Sequence, residues 1–129
     1  PGALRAAAAP AMKPIAPRAR TLPHRMNRTE AAYAAHLMAL RAAGQVIEWR
    51  YEAVKLRLGD RLHYTPDFLV IGAAGEVEFH EVKGRKGRSY YATEDARVKV
   101  KSAAAQYPFT FRVVWPSGGA WKVETINRA

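Results

Sequence analysis

Tyr64-Thr65-Pro66-Asp67-Phe68-Leu69-Val70-Ile71-Gly72-Ala73-Ala74-Gly75-Glu76-Val77-Glu78-Phe79-His80-Glu81-Val82-Lys83-Gly84 is the stretch on which the fold of this chain turns. Phe68 to Ile71 is a short apolar run, Gly72 to Gly75 is a turn signal, and Glu76 to Lys83 alternates polar with apolar up to Val82. The pattern predicts one β-hairpin. Side chains on a strand alternate faces, so Glu81 and Lys83 point one way and Val82 the other. Antiparallel pairing then sets Asp67 roughly opposite Glu81 to Lys83, and three ionisable groups share one edge of a sheet.

Two carboxylates and an amine so placed suit a particular chemistry. Mg²⁺ takes oxygen ligands and keeps several waters, so one or two carboxylates plus a substrate phosphate make a reasonable site. Such a cation activates water and neutralises a phosphate under in-line attack. Lys83 beside it is placed to orient that water or to stabilise the crowded phosphorus.

These residues resemble the PD-(D/E)xK nuclease superfamily, with Pro66-Asp67 as its first half-motif and Glu81-Val82-Lys83 as its second. More narrowly, four segments resemble a set of small phage proteins long grouped as a domain of unknown function. They are Asn27-Arg28-Thr29-Glu30, Tyr64-Thr65-Pro66-Asp67-Phe68, Phe79-His80-Glu81-Val82-Lys83-Gly84 and Asp95-Ala96-Arg97-Val98-Lys99-Val100-Lys101. The resemblance covers about residues 26 to 115. It implies an α/β, restriction-endonuclease-like fold in which a central mixed sheet is flanked by helices. It also implies Asp67, Glu81 and the Val82 backbone carbonyl as ligands of Mg²⁺, with Mn²⁺ as a substitute, and Lys83 as the catalytic amine.

In that superfamily the helix ahead of the sheet often supplies one more acid, and Glu30 matches it in position as a catalytic acid or further ligand. Helical spacing singles out Glu30 independently, because Tyr33, Ala34 and Leu37 follow at i+3, i+4 and i+7 on the stripe that should face the core. A carboxylate on a buried face is costly without a partner. The plainer reading is a capping box in which Glu30 reaches back to Asn27. The two roles are compatible.

Composition sets wider bounds. A chain of 129 residues makes one domain, and the absence of Cys removes disulfides and thiolate metal sites. No apolar run approaches a membrane span, and the opening lacks the apolar core of a signal peptide, so a soluble cytoplasmic protein without a membrane partner is expected. Lys and Arg number 21 against 11 Asp and Glu, a formal net charge of +10. Five of those bases (Arg5, Lys13, Arg18, Arg20, Arg25) lie in residues 1–25, which hold no acid, leaving 16 against 11 for the remainder. Such charge favours a polyanionic partner, most simply nucleic acid, although a solvated basic surface has the same composition.

Residues 1–25 are Ala, Pro and Arg with few large apolar side chains, and are expected to form a disordered basic arm. Met26 stands immediately before the first helix, placing the start of a single folded domain at 26–129. A helix is predicted from Asn27 to about Ala43, stopped by Gly44. Val46 to Leu58 reads as a long strand, Gly59-Asp60 as a tight turn, and Arg61 to Ile71 as the returning strand. A third strand spans Glu76 to Lys83. A second helix starts near Thr93, with Ala96, Val100, Ala103, Ala104 and Tyr107 as its apolar face, and Pro108 ends it. Strands at Phe109 to Trp115 and Trp121 to Ile126 complete the order αβββαββ, with the second helix as a crossover.

Two basic segments are candidate DNA contacts. Gly84-Arg85-Lys86-Gly87-Arg88-Ser89-Tyr90-Tyr91 follows directly from Lys83, and its cations and paired aromatics suit phosphates or a splayed base. On the second helix Arg97 and Lys101 lie four apart on one edge of the apolar face, with Lys99 on the other. Solvated helix charge is the commoner explanation for any one of them. His80 should point away from Glu81 as a packed structural histidine, and His63 falls on the face of Asp67 by parity.

The expected function is a metal-dependent DNA endonuclease of phage type, acting as a homodimer on branched DNA such as a four-way (Holliday) junction, or on duplex. The alternatives are a nuclease for single strands or RNA, and a non-catalytic nucleic-acid-binding or phage-assembly module on the same fold.

Overall fold

A computed structural model of the protein describes residues 25–86, 89–90 and 94–127, so the expected arm at residues 1–25 lies, apart from Arg25, outside the described residues. The described residues are α/β, with two helices and a mixed five-stranded sheet. Helix α1 (Arg28–Ala42) opens on the predicted capping box: the Glu30 N–H donates to Asn27 Oδ1 at 2.7 Å, and the Asn27 N–H donates to Glu30 Oε1 at 2.9 Å. Two donors that the first turn leaves orphaned are thereby satisfied. The helix ends at Ala43, and Gly44 follows with φ +83°, a left-handed conformation cheap only for glycine.

The strands are β1 (Val46–Tyr51), β2 (Leu56–Gly59), β3 (Leu62–Tyr64), β4 (Phe68–Gly72), β5 (Val77–Val82), β6 (Arg85–Lys86), β7 (Ser89–Tyr90), β8 (Thr110–Ser117) and β9 (Ala120–Ile126). Helix α2 (Glu94–Gln106) lies between β7 and β8. The main sheet runs β1-β4-β5-β8-β9, with β5 and β8 parallel and the other neighbours antiparallel. The parallel pair requires a long crossover, and α2 provides it.

Two long strands were expected where the structure has four short ones. The chain breaks between Tyr51 and Leu56 and again between Tyr64 and Phe68, so β2 and β3 form a separate two-stranded sheet. Glu52 stands at the first break with φ +48°, which bends the chain out of the ladder, and its N–H donates to the Asp67 carbonyl at 2.8 Å. Pro66 stands at the second, where it has no N–H to give a ladder.

Both faces of the sheet are covered. Tyr33, Ala34 and Leu37 of α1 pack with Val46, Phe68, Val70, Val82 and Val114. On the opposite face Val100, Ala103 and Ala104 of α2 pack with Phe79, Phe111, Val113 and Trp115, joined by Leu56 and Tyr64 from the small sheet. The hairpin pairs Phe68 with His80 and Ile71 with Val77, as the apolar run and the turn at Gly72 to Gly75 require. Val82 belongs to the α1 layer, and its neighbour Glu81 faces the other, as strand parity demands.

Candidate active site

Pairing of Phe68 with His80 places Asp67, one residue earlier, level with the Glu81–Val82 end of β5. There the Val82 N–H donates to Asp67 Oδ2 at 2.8 Å, and Asp67 Oδ1 accepts no hydrogen bond from the described residues. Glu81 is 9% exposed. Its Oε1 accepts the Tyr64 hydroxyl at 2.6 Å, and its Oε2 lies 3.0 Å from Lys83 Nζ. The predicted trio of Asp67, Glu81 and Lys83 is therefore assembled at one end of the hairpin.

Burial and the neighbouring Glu81 charge push the Asp67 carboxyl up to about 8; Glu30 adds to the rise, while the Val82 hydrogen bond and Lys83 oppose it. Two acids held close in a dry site cannot both ionise cheaply unless a cation joins them. Glu30 takes part at longer range. Its Oε1 accepts both the Asn27 N–H and the Tyr51 hydroxyl, the latter at 2.9 Å, so it is at once a helix cap and an acid facing the sheet. Burial, the Glu30 hydrogen bond and the charges of Glu30, Glu52 and Asp67 push the Tyr51 hydroxyl upward. For Tyr64, burial and then Glu81 do the same, so both phenols remain protonated donors.

Among the described residues, no three His, Cys, Asp or Glu side chains converge as a complete metal-ligand set. The residues nonetheless fit a divalent cation in part. Asp67 offers an unengaged oxygen, Glu81 lies beside it, and the electrostatic stress on Asp67 is of the sign that a cation relieves. Each Glu81 oxygen already has one partner, Tyr64 on Oε1 and Lys83 on Oε2, and keeps further lone-pair capacity for a cation.

Lys83 also lines a small notch against α2, together with Ala96, Arg97, Val100, Lys101, Val113 and Ile126. Arg97 and Lys101 line that notch with Lys83, whereas Lys99 does not. Arg85 and Lys86 pair through their backbones with Tyr90 and Ser89 in a short hairpin directly after Lys83. Arg88 and Tyr91 lie outside the described residues.

His80 lies in the opposite layer at 6% exposure, as expected of a packed histidine. Its Nε2 is 2.8 Å from Glu78 Oε1 and its Nδ1 is 2.7 Å from the Tyr33 hydroxyl. In the neutral ring Nε2 carries the hydrogen to the carboxylate and Nδ1 accepts from Tyr33. His63 is exposed in β3, in the small sheet, so its parity with Asp67 does not survive the break at Pro66. The contacts missed in the sequence are those of Tyr51 and Tyr64. Each tyrosine lies on a strand ahead of Asp67, but which acid it meets depends on how the broken strands fold over.

No protein-family model, curated protein or solved structure matches the chain.

Proposed function

We propose that the protein is a metal-dependent nuclease acting on DNA, with Asp67 and Glu81 as cation ligands and Lys83 as the catalytic amine. The observation that carries this reading is the meeting of Asp67, Glu81 and Lys83 at the end of the β4–β5 hairpin, with Asp67 under electrostatic stress from its neighbour. Mg²⁺ or Mn²⁺ held by Asp67, Glu81 and the Val82 carbonyl would supply the Lewis-acid charge that activates water and offsets the charge of a phosphodiester under attack.

The chain's own residues do the rest. The Val82 N–H fixes the Asp67 carboxylate, leaving its second oxygen free. Lys83, beside Glu81, offers its ammonium to a phosphate oxygen or to the attacking water. Glu30, tied through Tyr51 to the same corner, is the auxiliary acid. Arg97 and Lys101 beside Lys83 are placed to hold the flanking phosphates, continued by the hairpin that carries Arg85 and Lys86. A homodimer cutting both strands of a branched or four-way junction follows as the preferred working form, since one such site cuts one strand.

A second reading is favoured by one observation: both oxygens of Glu81 already have partners within the chain. A non-catalytic nucleic-acid-binding module would keep them so. Labelled four-way junction, duplex, single-stranded DNA and RNA, incubated in Mg²⁺ or Mn²⁺ with wild type, Glu81→Ala and Lys83→Ala, separate the two. Metal-dependent cutting lost in both variants supports the nuclease and names its substrate. Binding without cutting supports the module.

A further inference from the structure

Among the contacts of the site, the Tyr64 hydroxyl bond to Glu81 Oε1 is the shortest and the most enclosed, at 2.6 Å between residues that are 7% and 9% exposed. We propose that Tyr64 is a positioning residue: its hydroxyl fixes one oxygen of Glu81 and so sets the direction in which the other is presented, to Lys83 in this structure and to a divalent cation when one is bound. This rests on the nuclease reading above.

The reason lies in what each side chain is free to do. A glutamate has three rotatable bonds, and its carboxylate holds one orientation only if something outside its own strand grips it. Strand β5 fixes the Cα of Glu81 between β4 and β8, but nothing in that ladder fixes the carboxylate. Tyr64 comes from a different sheet, pairs with Leu56 across the β2–β3 hairpin, and is buried in the core cluster that holds Leu56, Phe79, Val100 and Ala103. Its hydroxyl therefore arrives from a rigid support. Tyr64 is also three residues ahead of Asp67, so the segment that carries the first acid also orients the second. The phenol reaches no reacting atom, because its hydroxyl is buried and committed to Glu81.

Tyr64→Phe deletes only this bond and keeps the ring. Three readouts on the full chain decide the matter: metal-free thermal unfolding, Mn²⁺ affinity by electron paramagnetic resonance titration, and kcat with KM on the DNA that wild type cuts best. The expected result is folding close to wild type, Mn²⁺ binding and kcat each lowered about tenfold, and an unchanged KM for DNA, as loss of an outer partner of a metal ligand produces. In a Glu81→Gln background the same substitution should leave Mn²⁺ binding unaltered. Wild-type Mn²⁺ affinity and kcat in Tyr64→Phe overturn the proposal, as does an equal loss of Mn²⁺ affinity in the Glu81→Gln background. Failure of wild type itself to bind Mn²⁺ and to cut any nucleic acid overturns the nuclease reading instead, and the role of Tyr64 with it.

Discussion

The Asp67 carboxylate and the Val82 N–H meet at 2.8 Å across the open end of the β4–β5 hairpin, tying the first acid of the site to the strand that carries the second. Asp67→Asn keeps an oxygen for that N–H while removing the charge that Glu81 opposes. Asp67→Ala leaves the N–H unpaired, a loss of about 1–3 kcal/mol. In chelator at pH 8 the Asn protein should be more stable than wild type and the Ala protein less stable than the Asn protein. Urea unfolding of the three proteins checks the order.

Metal-free stability should depend on pH through Asp67. Its carboxyl sits at about 8 in the folded chain against an ordinary 3.8, so between those values the folded state keeps a proton that the unfolded state has released. Stability from this group therefore falls as pH rises from about 4 to about 8, by at most about 1.4 kcal/mol per unit, and levels off above. Glu78 and His36 act in the opposite sense. The His80 hydrogen bond holds Glu78 below the usual range and burial holds His36 below its own, so both lose stability as pH falls. The difference between Asp67→Asn and wild type isolates the Asp67 part and should grow in favour of Asn across that interval.

Mn²⁺ should raise the unfolding temperature of wild type, and more at pH 8 than at pH 6, because the ion competes with the Asp67 proton. At a hundredfold excess over Kd the gain is about 2.7 kcal/mol. Glu81→Ala and Asp67→Asn should each reduce it. Differential scanning fluorimetry with and without the ion reads this directly, and an unchanged wild-type midpoint counts against the metal site.

DNA affinity should draw on Arg97 and Lys101, which share the notch with Lys83. Substituting either by Gln should weaken binding to every sequence alike and lower the slope of log affinity against log salt by about one. Lys99→Gln, away from that notch, should leave the slope nearly unchanged. Anisotropy titrations at several salt concentrations distinguish the three.

His80 provides the contrast on the other face of β5. His80→Ala leaves Tyr33 and Glu78 without their shared partner inside a packed layer and should cost about 2 kcal/mol or more. The Mn²⁺ response, normalised to the folded fraction, should persist. A parallel loss of both would mean that the two faces are coupled.

Much of this arrangement is legible in the sequence because it is local. Asn27 and Glu30 are three residues apart, the stripe of Tyr33, Ala34 and Leu37 repeats at helical spacing, and the turn at Gly72 to Gly75 fixes the hairpin register that brings Asp67 to Val82. The breaks at Glu52 and Pro66 are harder to see. The alternation of Trp49 and Tyr51 continues to Ala53 on paper, while the structure bends at Glu52 through a left-handed conformation that no glycine announces. Tyr64 meets Glu81 because that bend folds the β2–β3 hairpin toward α2, a relation of distant segments with no periodic trace.

The parallel pairing of β5 with β8 has a consequence for synthesis. Glu81 lies opposite Val113, and the Lys83 N–H donates to the Val114 carbonyl, so the strand bearing the second acid gains its other neighbour only after α2 has been made. During translation the hairpin with Asp67 and Glu81 emerges with one edge bare, and the notch beside Lys83 does not yet exist. A chain truncated between Gln106 and Thr110 would therefore carry an open β-edge prone to aggregation rather than a smaller complete fold.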